Sequence, residues 1–266
     1  MSELKKAEIG IFGGSGFYSF LEDIEEITVE TPYGKTSDNI FVGTIGPHKV
    51  AFMPRHGRNH SIPPHLVNYR ANIWAMKHIG CTRVISPCAA GSLQKEVKPG
   101  DFVICDQFVN YTSGRKDTFI EGPDVQHPSP ADIYCPELRS IAINSAKKLG
   151  ITVHETGTVV VINGPRFSTK AESAFYTRQG WQVINMTAYP EAYLAMELNM
   201  CPLNISLITD YDAGLVGDVP PVSHEEVMKV FNENVSKLKN LLFDMIENIP
   251  VEHCHCECEK STNIKV

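Results

Sequence analysis

The chain has 266 residues and a formal net charge of −7, with 42% hydrophobic and 21% charged residues. This acidic balance argues against a broad nucleic-acid surface, so any anion would have to be held by local donors. No apolar run reaches the roughly 18 to 20 residues that span a bilayer, and we therefore expect a cytoplasmic protein without a membrane partner.

The cysteines do not have the pattern of a disulfide scaffold, because most are scattered singly and three crowd the C-terminus. We expect one domain over residues 1–250, followed by a Cys/His-rich tail over residues 251–266. In that tail a reduced state, a small disulfide between Cys254 and Cys256, and a zinc or copper ion that also involves Cys258 all stay open. The spacing fits no common structural zinc site.

The first predicted strand, residues 8–12, runs into a glycine-rich turn at residues 13–16 that contains Ser15. Backbone N–H groups in such a turn can wrap an anion, so the turn resembles a phosphate cradle. An ordinary tight turn is the alternative. The dinucleotide fingerprint is absent, which makes a nicotinamide-dependent dehydrogenase a weak alternative.

Residues 27–53 alternate like paired strands, and Arg-His-Gly-Arg follows directly at residues 55–58. Guanidinium groups match phosphate oxygens in a bidentate fork, so this segment predicts an anion site, with an exposed basic loop as the alternative. His56, His60 and His65 do not indicate a metal site, because two intervening prolines break any shared helical face.

The middle of the chain reads as alternating helices and strands that cover a sheet. A turn of small residues at 88–92 follows the predicted strand at residues 82–86. In such a turn the backbone could approach a ligand closely. A long polar connection is predicted at residues 110–134, and connections of this length inside compact domains are usually functional or interfacial. In order, the elements are a helix at 65–79, a strand at 82–86, a strand at 101–106, a connection at 110–134 and a helix at 136–149.

Two strand-helix units follow, with strands at residues 158–162 and 182–185. Because open α/β folds bind ligands at the carboxyl edge of the sheet, the residues after each strand are candidate ligand contacts. Phe167 follows the first strand, and Met186 and Thr187 follow the second. We expect these three side chains to face one crevice.

The last predicted strand, residues 202–209, ends in Asp210-Tyr-Asp212. Side chains at i and i+2 share one side of an extended backbone, so the two carboxylates are predicted to act as a pair. Capping residues or solvated acids are the alternative. Ser223 to Glu226 has the form of a capping box that opens a long amphipathic helix.

Together the motifs resemble the 5'-methylthioadenosine phosphorylase branch of the purine nucleoside phosphorylase family, over about residues 8–249. The resemblance implies a single-domain α/β protein with a central mixed sheet flanked by helices, assembled as a homotrimer or a dimer of trimers. It implies no metal and no organic cofactor, with inorganic phosphate as co-substrate. The motifs are Gly-Gly-Ser-Gly at 13–16, Thr-Pro-Tyr-Gly at 31–34, Arg-His-Gly-Arg at 55–58, Asn-Tyr-Arg-Ala-Asn-Ile-Trp-Ala at 68–75, Gly-Pro-Arg-Phe-Ser at 164–168, Asn-Met-Thr at 185–187 and Thr-Asp-Tyr-Asp at 209–212.

The resemblance also assigns roles by position. Phe167 is similar to the ring that stacks on the purine, Met186 to the residue under the ribose, and the pair Asp210 and Asp212 to the groups that face N7 and the exocyclic amine of adenine. His127 is similar to a histidine that reaches a neighbouring subunit's site. The residues that resemble the phosphate site are Ser15, Arg55, His56, Cys88, Ala89 and Thr187.

Two positions depart from the pattern of the family. Relatives often have a hydroxyl residue where Cys88 stands, and a thiol is a weak hydrogen-bond donor. His224-Glu-Glu-Val is similar to the segment of nucleoside phosphorylases that accept a 5'-hydroxyl, whereas methylthioadenosine enzymes have a small apolar residue there. His224 is therefore predicted to face the 5' end of the nucleoside, with a solvent-facing helix start as the alternative.

The predicted reaction is phosphate-dependent cleavage of the N-glycosidic bond of 5'-methylthioadenosine and adenosine. The departing base gains negative charge, so a protonated Asp210 would donate to it while phosphate attacks the sugar. A broader or 6-oxopurine nucleoside phosphorylase, acting on inosine or guanosine, stays open as an alternative, as does a nucleoside-binding protein without turnover.

Overall fold

The structure is a computed structural model that describes residues 6–13, 22–214, 219–251 and 256–264. Within these ranges an eleven-stranded mixed sheet forms the centre of the molecule. Its strands are β1 (Ile9–Gly13), β2 (Glu22–Ile27), β3 (Ile40–Ile45), β4 (His48–Pro54), β5 (Arg83–Ser92), β6 (Phe102–Ile104), β7 (Gln107–Tyr111), β8 (Val153–His154), β9 (Thr158–Ile162), β10 (Val183–Asn185) and β11 (Cys201–Asp210).

The long strand β5 is the hub of this sheet. One path of neighbours runs β2-β3-β4-β1-β5-β10-β9-β7, and a branch runs from β5 through β11 and β6 to β8. Strand β5 is parallel to β1 and β11 and antiparallel to β10. Because several strands meet along it, the ends of β5, β10 and β11 come together in one region.

Helices cover the sheet and bury its apolar side chains. They are α1 (Tyr69–His78), α2 (Pro136–Lys148), α3 (Lys170–Arg178), α4 (Ala188–Glu197) and α5 (His224–Glu247). On α5, Leu238, Leu241 and Met245 are buried in the main core cluster together with Leu203 and Ile205 of β11. The predicted single α/β domain with a mixed sheet and flanking helices is confirmed.

Two predicted element boundaries were wrong. The helix expected from residue 65 begins only at Tyr69, because Pro63 and Pro64 lead into a short 3-10 helix and Asn68 then caps α1 by accepting from the Ala71 N–H. The turn expected at residues 88–92 is the second half of β5. That half stays extended because β10 and β11 both pair with it.

The described part of the C-terminal tail folds back onto the domain. The Thr262 N–H donates to Asn199 Oδ1 at 2.9 Å, and the Thr262 hydroxyl donates to the Glu197 carbonyl at 2.6 Å. Cys256 and Cys258 pack against the main core cluster. The tail therefore has fixed contacts with the end of α4 and with the core.

Among the described helices, none combines the length and the apolar character that crossing a bilayer requires.

Candidate active site

A cavity of about 710 Å³ opens where β4, β5, β9, β10 and β11 end. Of the residues predicted for the site from the sequence, ten line it: Arg55, His56, Cys88, Ala89, Phe167, Met186, Thr187, Asp210, Asp212 and His224. The expected crevice shared by Phe167, Met186 and Thr187 is part of this cavity. Ser15 lies outside the described residues, and the exposed His127 lies outside the cavity.

Arg55 is buried at the inner end of the cavity and is paired with Glu191 of α4. Its Nη2 also donates to the Phe12 carbonyl at 3.0 Å, and its Nη1 lies 3.4 Å from the Pro87 carbonyl. The bidentate fork expected to hold phosphate is therefore directed at a carboxylate of the protein. Of the five guanidinium N–H groups, those on Nη1 have only the long contact with the Pro87 carbonyl. They are therefore the donors that are available to bind an anion.

His56 is neutral in this environment. Burial is the main reason that its pKa falls to about 4, and the nearby Arg55 charge lowers the pKa further. Its Nδ1 lies 2.8 Å from the Ile62 carbonyl, which can only accept, so Nδ1 carries the proton. Nε2 is then an acceptor, so His56 can accept a hydrogen bond from a hydroxyl but cannot donate to a fully ionised phosphate.

The Cys88 thiol lies among polar neighbours at the base of the cavity. Asn185 Nδ2 lies 3.2 Å from its sulfur, and the Ser206 hydroxyl and Asn204 Nδ2 each lie 3.6 Å from it. Sulfur is a weak acceptor and S–H a weak donor, so these contacts orient the thiol without a strong bond. Thr187, the N-cap of α4, is buried beside it and contributes a further hydroxyl.

Asp210 ends β11 and has a raised pKa of about 6. Burial is the largest cause, while the charges of Asp212 and Glu226 add smaller increases. The Thr209 hydroxyl donates to Oδ2 at 2.7 Å, and the Asp212 N–H donates to Oδ1 at 2.8 Å; both bonds oppose the rise. The two hydrogen bonds therefore hold the carboxyl group in place. Because its pKa is raised, the group stays protonated up to a higher pH than an ordinary aspartic acid does.

Gly91 makes room for this carboxyl group. A Cβ at position 91 would lie 2.9 Å from Asp210 Oδ1 and 3.0 Å from Ile184 Cγ2. The register of β11 against β5 also shifts between Ile208 and Asp210. The irregular strand end and the missing side chain together direct Asp210 into the cavity.

Asp212 is buried and stands in a left-handed backbone conformation, with φ of 48°. The chain thus turns between the two acids, and the side chains are not placed by simple strand alternation. Burial raises the pKa of Asp212, and the hydroxyls of Ser173 and Ser168 lower it in part. The result is a desolvated acceptor at the same cavity wall as Asp210.

His224 is the first residue of α5 and also lines the cavity. Its position therefore agrees in part with each of the two expectations, a residue that faces the ligand and a residue that starts a helix. The Ser223 hydroxyl caps the helix by accepting from the Glu226 N–H. His60 lines the same region, and its pKa is lowered mainly by burial and further by the neighbouring His224. Two imidazoles therefore lie near the mouth of the cavity.

Arg115 was missed by the sequence analysis, although the long connection that contains it was flagged. Its Nη2 donates to the Met186 carbonyl at 2.8 Å and to the Asn163 carbonyl at 3.0 Å, and its Nη1 donates to the Tyr189 carbonyl. It therefore fixes the backbone that follows both β9 and β10. Glu191 was also missed, although its position as a single carboxylate in the apolar stretch of residues 188–196 was a signal that it needs a buried partner.

Comparison with known proteins gives consistent matches over nearly the whole chain. A family model described as Phosphorylase superfamily matches residues 8–247. S-methyl-5'-thioadenosine phosphorylase of Thermofilum pendens is 52% identical, covering 97% of this chain and 98% of that protein. Purine nucleoside phosphorylase of Streptomyces coelicolor is 46% identical, covering 97% and 95%. A mutant adenosine/methylthioadenosine phosphorylase of Schistosoma mansoni, solved with adenine, superimposes with a TM-score of 0.88 at 36% identity, covering 93% of each chain.

Proposed function

Because this chain belongs to the phosphorylase superfamily and is a pentosyltransferase of the purine nucleoside phosphorylase type, we propose that it cleaves 5'-methylthioadenosine and adenosine with inorganic phosphate. The products are adenine and the corresponding (5-methylthio)ribose 1-phosphate. The single observation that carries the proposal is that the buried Asp210, with its raised pKa, and Arg55 line the same cavity.

Asp210 serves as the acid for the departing base. As the bond between the sugar C1' and N9 of the purine breaks, its electron pair moves into the base, and a proton from Asp210 to N7 neutralises the charge. With a pKa of about 6, a useful fraction of Asp210 is protonated near neutral pH. Asp212 accepts from the exocyclic amine, since an ionised carboxylate can only accept.

Phosphate is held at the other end of the cavity and attacks C1' with one of its oxygens. Arg55 contributes through Nη1, while Thr187 and the backbone around Ala89 supply neutral donors. Glu191 balances most of the Arg55 charge, so binding depends on several aligned dipoles and not on one free cation. Ser15 of the glycine-rich turn is assigned to the same anion on the basis of the family resemblance.

The remaining cavity residues position the nucleoside. Phe167, 38% exposed at the cavity rim, is free to stack on a purine ring. Met186 lies below the sugar and is held by Arg115 through its carbonyl. His224 faces the 5' substituent, where an imidazole can bond to a hydroxyl.

The proposal includes a trimeric, cytoplasmic enzyme in which His127 of one subunit completes the site of its neighbour. His127 is exposed and lies outside its own cavity, as a residue that serves a neighbouring subunit's site would. A trimer would bring the surface connection that contains it to another subunit.

A panel of nucleosides tests the reaction. Methylthioadenosine, adenosine, inosine and guanosine are each incubated with and without phosphate, and free base is measured. We expect phosphate-dependent adenine release from the first two. Efficient cleavage of inosine and guanosine would instead favour a broader or 6-oxopurine nucleoside phosphorylase, and binding without release would identify a nucleoside-binding protein.

A further inference from the structure

Four cysteine sulfurs from three distant parts of the chain meet on the side of the molecule where the C-terminal tail docks. The sulfur atoms of Cys135, Cys201, Cys256 and Cys258 all lie within 4.8 Å of one another. Cys135 is the N-cap of α2, Cys201 begins β11, and the other two belong to the tail. None of the four lines the nucleoside cavity.

The spacing of these sulfurs is close to that of a tetrahedral metal site. Zinc binds thiolates at about 2.3 Å, which places the sulfurs of a regular tetrahedron about 3.8 Å apart. The Sγ atoms of Cys201 and Cys256 lie 3.4 Å apart, and the remaining separations stay below the 4.8 Å limit. Each sulfur–sulfur separation would therefore have to change by no more than about 1 Å to bring four ligands onto one ion.

We propose that these four cysteines bind one zinc ion as a structural site that joins the tail to the domain. Four thiolates form a closed, soft ligand set, which suits zinc and leaves no open position for catalysis. Binding replaces the thiol protons by the metal and releases them to solvent. The tail spacing alone fits no common structural zinc site, because two of the four ligands lie far earlier in the sequence, at Cys135 and Cys201.

The surroundings suit such an ion. Cys135 and Cys201 are fully buried, and Cys256 and Cys258 are partly buried, so water is largely excluded from the ion. Cys135 stands at the N-terminus of the 13-residue helix α2 without a side-chain capping bond, where the helix dipole stabilises a thiolate. The Thr262 hydrogen bonds to Asn199 and Glu197 hold the tail in the docked position from its other end.

A metal bound only by the folded protein stabilises it by mass action. Removing the ion should therefore release the tail and lower the melting temperature, while turnover at moderate temperature is kept, since the nucleoside cavity shares no ligand with the site. Oxidation to two disulfides is the competing chemistry, and it would need an oxidant to take two electrons for each bond formed.

The test uses the full chain purified under anaerobic, reducing conditions, without an affinity tag that binds metals. We expect about one zinc per chain by elemental analysis, and, after exchange with Co²⁺, the thiolate-to-cobalt charge-transfer and tetrahedral d–d bands of a four-sulfur site. The double variant Cys256→Ser/Cys258→Ser should lose the zinc and melt earlier. The matched control Cys81→Ser changes a cysteine outside the cluster and should keep the zinc.

Three results would overturn the proposal. The first is metal-free protein that shows no cobalt bands. The second is zinc retained in the double variant, which would place the ion elsewhere. The third is disulfides among these four residues in anaerobically prepared protein, found by mass spectrometry of a non-reduced digest. Nucleoside cleavage is measured separately on the same samples, so a failure of the zinc site is distinguishable from a failure of the proposed activity.

Discussion

The guanidinium of Arg55 and the carboxylate of Glu191 face each other in a buried two-point ion pair, with Nε 2.7 Å from Oε2 and Nη2 2.8 Å from Oε1. Their side chains are only 4% and 1% exposed. The pair joins the end of β4 to α4 across the inner end of the cavity. The ion pair therefore has two effects. It joins two elements of the fold, and it orients the remaining donors of Arg55 toward the cavity.

Arg55→Lys should raise the KM for phosphate about tenfold or more. The single ammonium group of a lysine cannot pair with Glu191 at two points and also donate to phosphate, as the separate nitrogens of a guanidinium can. Phosphate saturation kinetics measure this effect. Arg58→Lys is the matched control, since Arg58 pairs with Asp38 and Glu26 on the surface. An unchanged phosphate KM in Arg55→Lys would remove Arg55 from the phosphate site.

Arg55→Ala should lower the free energy of unfolding by about 3 to 5 kcal/mol relative to wild type, because it leaves the buried Glu191 carboxylate without a counter-charge, and Arg55→Lys should lose less. Urea denaturation of the wild type and the two variants measures these differences. The double variant Arg55→Ala/Glu191→Gln should recover part of the loss, whereas equal stability of all three proteins would show that the pair has no structural role.

The raised pKa of Asp210 predicts opposite trends for activity and stability. The native state keeps this proton up to about pH 6, whereas the unfolded chain loses it near the ordinary value of 3.8, so the contribution of Asp210 to stability falls as pH rises from about 4 to 6. Asp210→Asn lacks this loss and should gain on the order of 2 to 3 kcal/mol relative to wild type by pH 7. It should also lose most turnover, because an amide N–H can form a hydrogen bond to N7 but is too weak an acid to transfer its proton to the departing base.

Urea denaturation of both proteins at pH 4.5, 6 and 7.5, together with kcat/KM over the same range, checks this prediction. We expect the wild-type kcat/KM to fall above about pH 6 relative to the profile of Asp210→Asn, in which the Asp210 carboxyl no longer titrates. Parallel stability curves for the two proteins would contradict the protonation assigned to Asp210.

Asp212→Asn should weaken the preference for 6-amino over 6-oxo purines. An amide can donate to a 6-oxygen, whereas the carboxylate can only accept from an amine. The ratio of adenosine to inosine kcat/KM should fall by about tenfold, or roughly 1.4 kcal/mol. Asp132→Asn, at an exposed position outside the cavity, is the control, and a ratio that does not move in Asp212→Asn would leave base recognition to other groups.

His224→Val should shift the enzyme from adenosine toward methylthioadenosine. Imidazole can exchange a hydrogen bond with a 5'-hydroxyl, while a thioether sulfur is only a weak acceptor. In the wild type we expect the two efficiencies to lie within about one order of magnitude. Steady-state kcat/KM for both nucleosides measures this, with His65→Val as a control on an exposed histidine outside the cavity. A wild-type adenosine efficiency hundreds of times lower would mean that His224 only starts the helix.

The sequence by itself determined the alternation of strands and helices and the residues that follow each strand. Apolar runs such as residues 158–162 need burial on both faces, and parallel strands then deliver the next residues to one edge. For this reason Phe167, Met186 and Thr187 could be placed near one another before the fold was known. The family resemblance added their roles, which no local pattern contains.

Only the tertiary structure decided which distant residues complete these local patterns. Glu191 takes the Arg55 fork, Arg115 holds the backbone at Met186, and Cys135 and Cys201 meet the tail cysteines. Each of these contacts joins residues more than 50 positions apart, which no helical or strand period relates. The raised pKa of Asp210 also depends on the tertiary structure. The main cause of the increase is burial, and Asp210 is buried only once the whole sheet and its helices have packed.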